Sequence, residues 1–251
     1  LTRPAAELVA RLAASLCPSL MSGEQSHTPE QQAENWKRGT QNGEPRTGNA
    51  ERGTRETDLY LPAALAAELG GSGFSRLGDL LPETFHRYHG HIFLTAAGIA
   101  VRSIAPLLRG KDRDPAVVVL DQRGDYAVSL LSGHLGGGNR LAREVADLLG
   151  GRAVITTATD SLGLPAIEEL AREADMHLAD LRVATPVNAA LASRRPLQLH
   201  DPGDLLGLAA TLGPEFPLRR IEVPEDIDPN RAAIWVDWHT APEAAGRGAL
   251  V

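Results

Sequence analysis

The sequence predicts an α/β fold: a three-layer open-sheet N-terminal domain over residues 1–175 and a second, smaller α/β domain over 176–241. Three features carry that expectation. Short continuous apolar runs, such as residues 116–121 (AVVVLD), read as strands covered on both faces. Stretches with apolar residues at helical spacing alternate with them. Glycine-rich turns join strand to helix in the first half, whereas proline and glycine punctuate a weaker pattern after about residue 175.

Residues 5–17 place Ala5, Leu8, Val9, Leu12, Ala13 and Leu16 on one helical stripe. Cys17 beside it is either a small apolar residue at a helix end or a reactive thiol. Residues 21–57 hold no Val, Ile, Leu, Phe, Tyr or Cys, so they bury too little to offset their ordering entropy and are expected to be a flexible insertion, with Trp36 exposed. Strands follow at 58–62 and 91–95, helices at 77–88 (interrupted by Pro82) and 99–108. Residues 116–121 and 126–131 flank a turn at 122–125 and are placed as a hairpin. A helix over 139–149, a strand over 152–156 and a helix over 164–174 complete the first domain. The second carries helices at 186–193 and 204–212 and strands at 196–200, 219–223 and 233–238. A strand before the first helix is expected to be absent, and residues 242–251 read as a linker to a further domain.

Composition narrows the function classes. Lys and Arg number 25 against 32 Asp and Glu, a net charge of −7, which argues against a general nucleic-acid binder. A single cysteine excludes a disulfide framework and multi-cysteine metal sites and fits the cytoplasm. No apolar run is long enough to cross a bilayer, so no membrane partner is expected. Residues 85–160 run against the average, with nine Arg or Lys and seven Asp or Glu, as a small polyanionic ligand requires.

Residues 129–139 (SLLSGHLGGGN) form the strongest local motif, a strand entering a turn with Gly133, Gly136, Gly137 and Gly138 and then a helix N-terminus, where Asn139 caps the helix only in the purely structural alternative. Such a turn offers backbone N–H groups and the positive end of a helix to an anion, and His134 lies inside it. The alternative is a tight connection with His134 merely exposed. The glycine spacing fits neither G-x-G-x-x-G nor a P-loop, since no lysine follows. Thr157, Thr159 and Asp160 follow the next strand and line the same sheet edge, or else Asp160 caps the helix after it. Gly98 and Arg102 repeat the strand, turn and helix arrangement; for Arg102 a surface ion pair is the competing reading. His86, His89 and His91 have no cysteine and few acidic neighbours, so no metal site is assigned.

Residues 98–108 (GIAVRSIAPLL), 114–119 (DPAVVV), 129–139 and 154–160 (VITTATD) together resemble the cobalt-precorrin-5A hydrolase family, the cobalamin biosynthesis protein G family. The likeness is dense over residues 88–173 and weak over the second half, which corresponds to that family's variable middle domain. Residues 21–57 are extra, and Gly138 replaces an alanine, a change expected to be harmless. The resemblance implies opening of the δ-lactone of cobalt-precorrin-5A, with release of acetaldehyde, to give cobalt-precorrin-5B. It implies no cofactor beyond the cobalt carried by the substrate. Within it, His134 and Asp160 are expected to be catalytic; Gly98, Arg102, Ser132, Gly133, Gly136, Gly137, Gly138, Asn139, Thr157 and Thr159 are expected to bind substrate. A non-catalytic corrinoid-binding module is the competing reading, and an unrelated phosphate-ligand enzyme a third. A homodimer and contacts with other corrin-pathway enzymes stay open.

Overall fold

The computed structural model describes residues 3–16, 57–111, 113–174, 176, 178 and 184–236. Cys17, the expected insertion up to residue 56, and the expected linker at 242–251 lie outside them. The backbone divides into two compact units, Leu1–Leu80 and Leu81–Val251.

In the first unit, helix α1 (Arg3–Leu16) packs against helix α2 (Ala63–Leu69) and buries Ala5, Leu12 and Ala13. Strands β1 (Tyr60–Pro62) and β2 (Ser72–Phe74) flank α2 and pair in parallel, Tyr60 opposite Ser72. The sequence reading anticipated β1 alone. Its alanine-rich successor is too short to show helical periodicity, yet alanine is the strongest helix former and Gly70 at φ 78° ends the run. Helix α3 (Leu77–Thr84) begins in the first unit and ends in the second, and carries Pro82 inside it.

The second unit holds two sheets. The first has the order β3 (Gly90–Leu94), β4 (Ala116–Leu120), β5 (Tyr126–Leu131), β6 (Arg152–Val154). Strand β3 runs parallel to β4, β4 antiparallel to β5, and β5 parallel to β6. All five residues of β4 are buried, as its continuous apolar run predicts. The reversal between β4 and β5 is held by the Asp121 carboxylate, which accepts from the Arg123 and Tyr126 amides, with Gly124 at φ 74° completing the turn. Helix α4 (Ala97–Ile104) passes into a 3₁₀ turn at Ala105–Leu107, shorter than the sequence suggests, because Pro106 has no N–H to continue the ladder. Helix α5 (Gly138–Leu149) follows β5, and a short helix α6 (Ala158–Ser161), not foreseen, follows β6.

The second sheet is fully parallel, with β7 (Leu197–His200) between β8 (Leu218–Arg220) and β9 (Ala233–Trp235). Helix α7 (Ile167–Glu173) starts three residues later than expected, and α8 spans Ala184–Ala192. Ile167, Leu170 and Ala171 of α7 join Val187, Leu191, Leu197, Leu199 and Ile234 in one core, so that core begins before residue 175. Helix α9 covers only Leu208–Leu212, because Asp204 and Gly207 take positive φ and the Asp201 carboxylate captures the Leu205 and Leu206 amides instead. Among the described residues no helix is long and apolar enough to cross a membrane.

Leu120, fully buried on an inner strand of the four-stranded sheet, sets a stability test. Leu120→Ala is expected to destabilise the protein by about 2–5 kcal/mol, read as a lowered urea midpoint with an unchanged slope.

Candidate functional site

Strands β5 and β6 are parallel neighbours, so their carboxyl ends lie side by side and the connections leaving them share one edge of the sheet. The turn after β5 supplies His134, the start of α5 supplies Asn139, and the turn into α6 supplies Thr157, Thr159 and Asp160. Asn139 is buried and fully engaged. Its Nδ2 donates to Thr157 Oγ1 and Asp160 Oδ2, both at 3.0 Å, and its Oδ1 accepts from Ser129 Oγ at 2.8 Å.

The Asp160 carboxylate is the centre of this network. Oδ2 accepts from Thr157 Oγ1 at 2.6 Å and His134 Nε2 at 2.9 Å as well as from Asn139, while Oδ1 accepts from the Arg143 guanidinium. Burial alone would raise its pKa; the hydrogen bonds from Thr157, His134 and Arg143, with the Arg143 charge, outweigh that and hold it below the ordinary carboxylate value. Asp160 is therefore ionised and accepts only. In the neutral imidazole of His134 the proton consequently sits on Nε2, Thr159 Oγ1 at 3.1 Å from that nitrogen accepts from it, and Nδ1 keeps its lone pair. The side chains of His134 and Asp160 are 15% and 9% exposed, dry enough to strengthen the pair yet open on the imidazole side.

The glycine turn behaves differently from the expected anion cradle. The Gly137 amide donates to the His134 carbonyl, Gly138 to Ser132 and Asn139 to Gly133, so these donors are consumed inside the turn. Among the described residues the Gly136 amide has no backbone acceptor. What the glycines supply is close packing. A Cβ on Gly136 would lie 2.4 Å from Ser132 Cβ, one on Gly133 would lie 2.7 Å from Asn139 Oδ1, and Gly137 caps α5 at φ 78°. The backbone is packed around the glycine at 138, where a Cβ would stand 2.6 Å from the Leu131 carbonyl oxygen. Ser132 itself takes φ 54°, strained for a residue with a side chain, and its hydroxyl donates to the Asp114 carbonyl.

Gly98 and Arg102 do not join this cluster. They follow the carboxyl end of β3, and β3 runs antiparallel to β5 through β4, so they sit at the opposite end of the sheet. There Arg102 Nη1 donates to the Gly98 carbonyl at 3.1 Å, exposed to solvent. Asp160 caps no later helix: it lies within α6, and α7 has Ala166 at its N-cap. His86 and His91 bond the carbonyls of Leu107 and Phe85, and His91 stacks between Phe85 and Phe93, where burial lowers its pKa. Sequence reasoning missed Arg143 and Ser129. Arg143 was findable, since it lies four residues after Asn139 and so shares its helix face.

Two family models match in succession, Cobalamin synthesis G N-terminal over residues 79–160 and Cobalamin biosynthesis central region over residues 165–250. Together they cover two thirds of the chain. The chain belongs to the cobalamin biosynthesis protein G family. A cobalt-precorrin-5A hydrolase from Salmonella typhimurium is 48% identical over 118 residues, 47% of this chain and 34% of that protein. Another from Priestia megaterium is 53% identical over 81 residues, 32% of this chain and 22% of that protein. The matched segments thus span about a third or less of these relatives' lengths. A crystal structure of a cobalamin biosynthesis protein G homolog from Sulfolobus solfataricus is 21% identical, covers 68% of this chain and 47% of that one, and superposes with a TM-score of 0.37.

Two outcomes follow from the geometry. Folding depresses the Asp160 pKa, so its stabilisation is complete above the unfolded carboxyl value near ~3.9 and is lost as pH falls through the lower folded value. Denaturation of wild type and Asp160→Asn should therefore differ by about 1.5–3 kcal/mol at neutral pH and converge in strong acid. Gly138→Ala should cost about 1–3 kcal/mol in the same assay, because backbone rather than a flexible side chain has to yield.

Proposed function

We propose that this chain carries the hydrolytic centre of a cobalt-precorrin-5A hydrolase in corrin-ring biosynthesis, opening the substrate's δ-lactone and releasing acetaldehyde to give cobalt-precorrin-5B. The observation that carries the proposal is the 2.9 Å contact between His134 Nε2 and an ionised Asp160 that three further side chains hold in place. Asp160 orients the imidazole and stabilises its charge once protonated. His134 Nδ1, the free lone pair, takes a proton from water as the water attacks the lactone carbonyl; the departing alkoxide then collapses to the carbonyl of acetaldehyde as its carbon–carbon bond to the ring breaks, and the proton goes to the ring carbon that keeps the electron pair. The Gly136 amide, one of the turn's amides with no backbone acceptor among the described residues, serves as a donor to the oxyanion. Thr157 and Asn139 position Asp160 rather than touch substrate.

The cobalt is part of the substrate, and the reaction as written takes no further cofactor. Gly98 and Arg102 have no part in these steps, because the strand between the two ends of the sheet spans about 17 Å. The short coverage of the relatives favours one other reading, a corrinoid-binding module, since most of each relative's length lies outside the matched segments.

Acetaldehyde release from cobalt-precorrin-5A separates them. The chain should release it, and His134→Ala should lower kcat/KM by about 10²–10⁴-fold while keeping the wild-type circular dichroism, with a urea midpoint lowered by the lost hydrogen bond to Asp160. Substrate binding without acetaldehyde from the wild-type chain would establish the module instead.

A further inference from the structure

The end of the first sheet that carries His134 holds more than the connections leaving β5 and β6. Strand β4 runs antiparallel to β5, with Val117 opposite Leu131, so the loop entering β4 arrives beside the turn leaving β5. Two contacts fix that closeness. Ser132 Oγ donates to the Asp114 carbonyl at 2.9 Å, and a Cβ on Gly136 would stand 3.4 Å from the Ala116 nitrogen.

The loop, residues 109–114 (RGKDRD), is pinned by one buried carboxylate. Asp114 accepts from the Arg109 amide at 2.8 Å and the Gly110 amide at 3.0 Å, while the Arg113 and Asp114 amides close onto the Gly110 carbonyl. Arg109 and Lys111 are left exposed, and among the described residues neither side chain has an ion-pair partner. On the helix side of the same glycine turn, Arg140 brings Nη2 to 3.6 Å from the position a Gly137 Cβ would take. Its pair with Glu144 is long, at 3.8 Å, and exposed.

The acids of these segments do not cancel the cations. Asp114 and Asp160 are engaged by internal donors, which leaves Glu144 and, next to Lys111 in the chain, Asp112. Leu108 and Leu135, in the same loop and the same turn, are 43% and 36% exposed. Exposed apolar side chains among unpaired cations match a flat apolar ligand with carboxylates at its edge.

We propose that Arg109, Lys111 and Arg140 form a carboxylate-binding rim around the His134 site. Arg109 and Lys111 hold acetate or propionate groups on one side of the macrocyclic substrate, and Arg140 holds them on the other. The inference rests on the hydrolase reading for the identity of that substrate. It concerns binding alone, since these side chains take no proton and touch no reacting atom.

The experiment compares the wild-type chain with the double variant Arg109→Gln/Lys111→Gln, with Arg140→Gln, and with Arg123→Gln. Arg123 pairs with Asp125 at the opposite end of the sheet. Uroporphyrin III, a macrocycle edged by acetates and propionates and lacking the lactone, reports binding through its fluorescence; cobalt-precorrin-5A reports turnover through acetaldehyde. At low salt the double variant and Arg140→Gln should each bind uroporphyrin about 3–10-fold more weakly than wild type, and added salt should narrow the gap. KM should rise by a similar factor while kcat stays within about twofold. Arg123→Gln should match wild type in both assays, and every variant should keep the wild-type circular dichroism. Wild-type affinity in the rim variants overturns the proposal, as does equal weakening by Arg123→Gln, a fall in kcat without a rise in KM, or a wild-type chain that does not bind uroporphyrin. The hydrolase reading fails separately: rim-dependent uroporphyrin binding without acetaldehyde release refutes that reading alone, and acetaldehyde release with a wild-type KM in the rim variants refutes this one alone.

Discussion

One ionised carboxylate ties together three segments far apart in the chain. Asp160 receives the turn after β5 through His134, helix α5 through Asn139 and Arg143, and its own turn through Thr157. An acceptor with this many donors loses little by leaving water, which is why it stays charged at 9% exposure. Its charge in turn dictates the tautomer of His134 and hence which nitrogen is free. Remove the charge and the imidazole loses both its orientation and its assignment.

What brings those segments together is strand polarity. The β4–β5 hairpin reverses the chain inside an otherwise parallel sheet, so connections leaving β5 and β6 meet at one end while those leaving β3 and β4 go to the other. The glycines then let the turn close tightly on itself. Gly136 and Gly138 press against the Ser132 and Leu131 backbone, and the amides that sequence reasoning assigned to an anion are spent holding that turn. The site is therefore built mainly on side chains.

Much of the fold was legible because strands and helices announce themselves locally. The buried β4, the hairpin turn at 122–125 and the amphipathic α5 follow from apolar period and turn chemistry. The missed elements are short: α2, β2 and α6 span seven, three and four residues, below the length at which periodicity is visible. Helix ends slipped where backbone chemistry overrode pattern, at Pro106 and at the positive φ of Asp204 and Gly207.

From sequence alone came the α/β class, the family likeness and the candidates His134, Asn139, Thr157, Thr159 and Asp160, because those rest on residues close together in the chain. Tertiary structure alone decided that Gly98 and Arg102 stand at the far end of the sheet, that Arg143 completes the carboxylate's shell, and that the loop before β4 stands beside the glycine turn. Those are pairings across strands and helices, set by direction and register, and no local pattern encodes them.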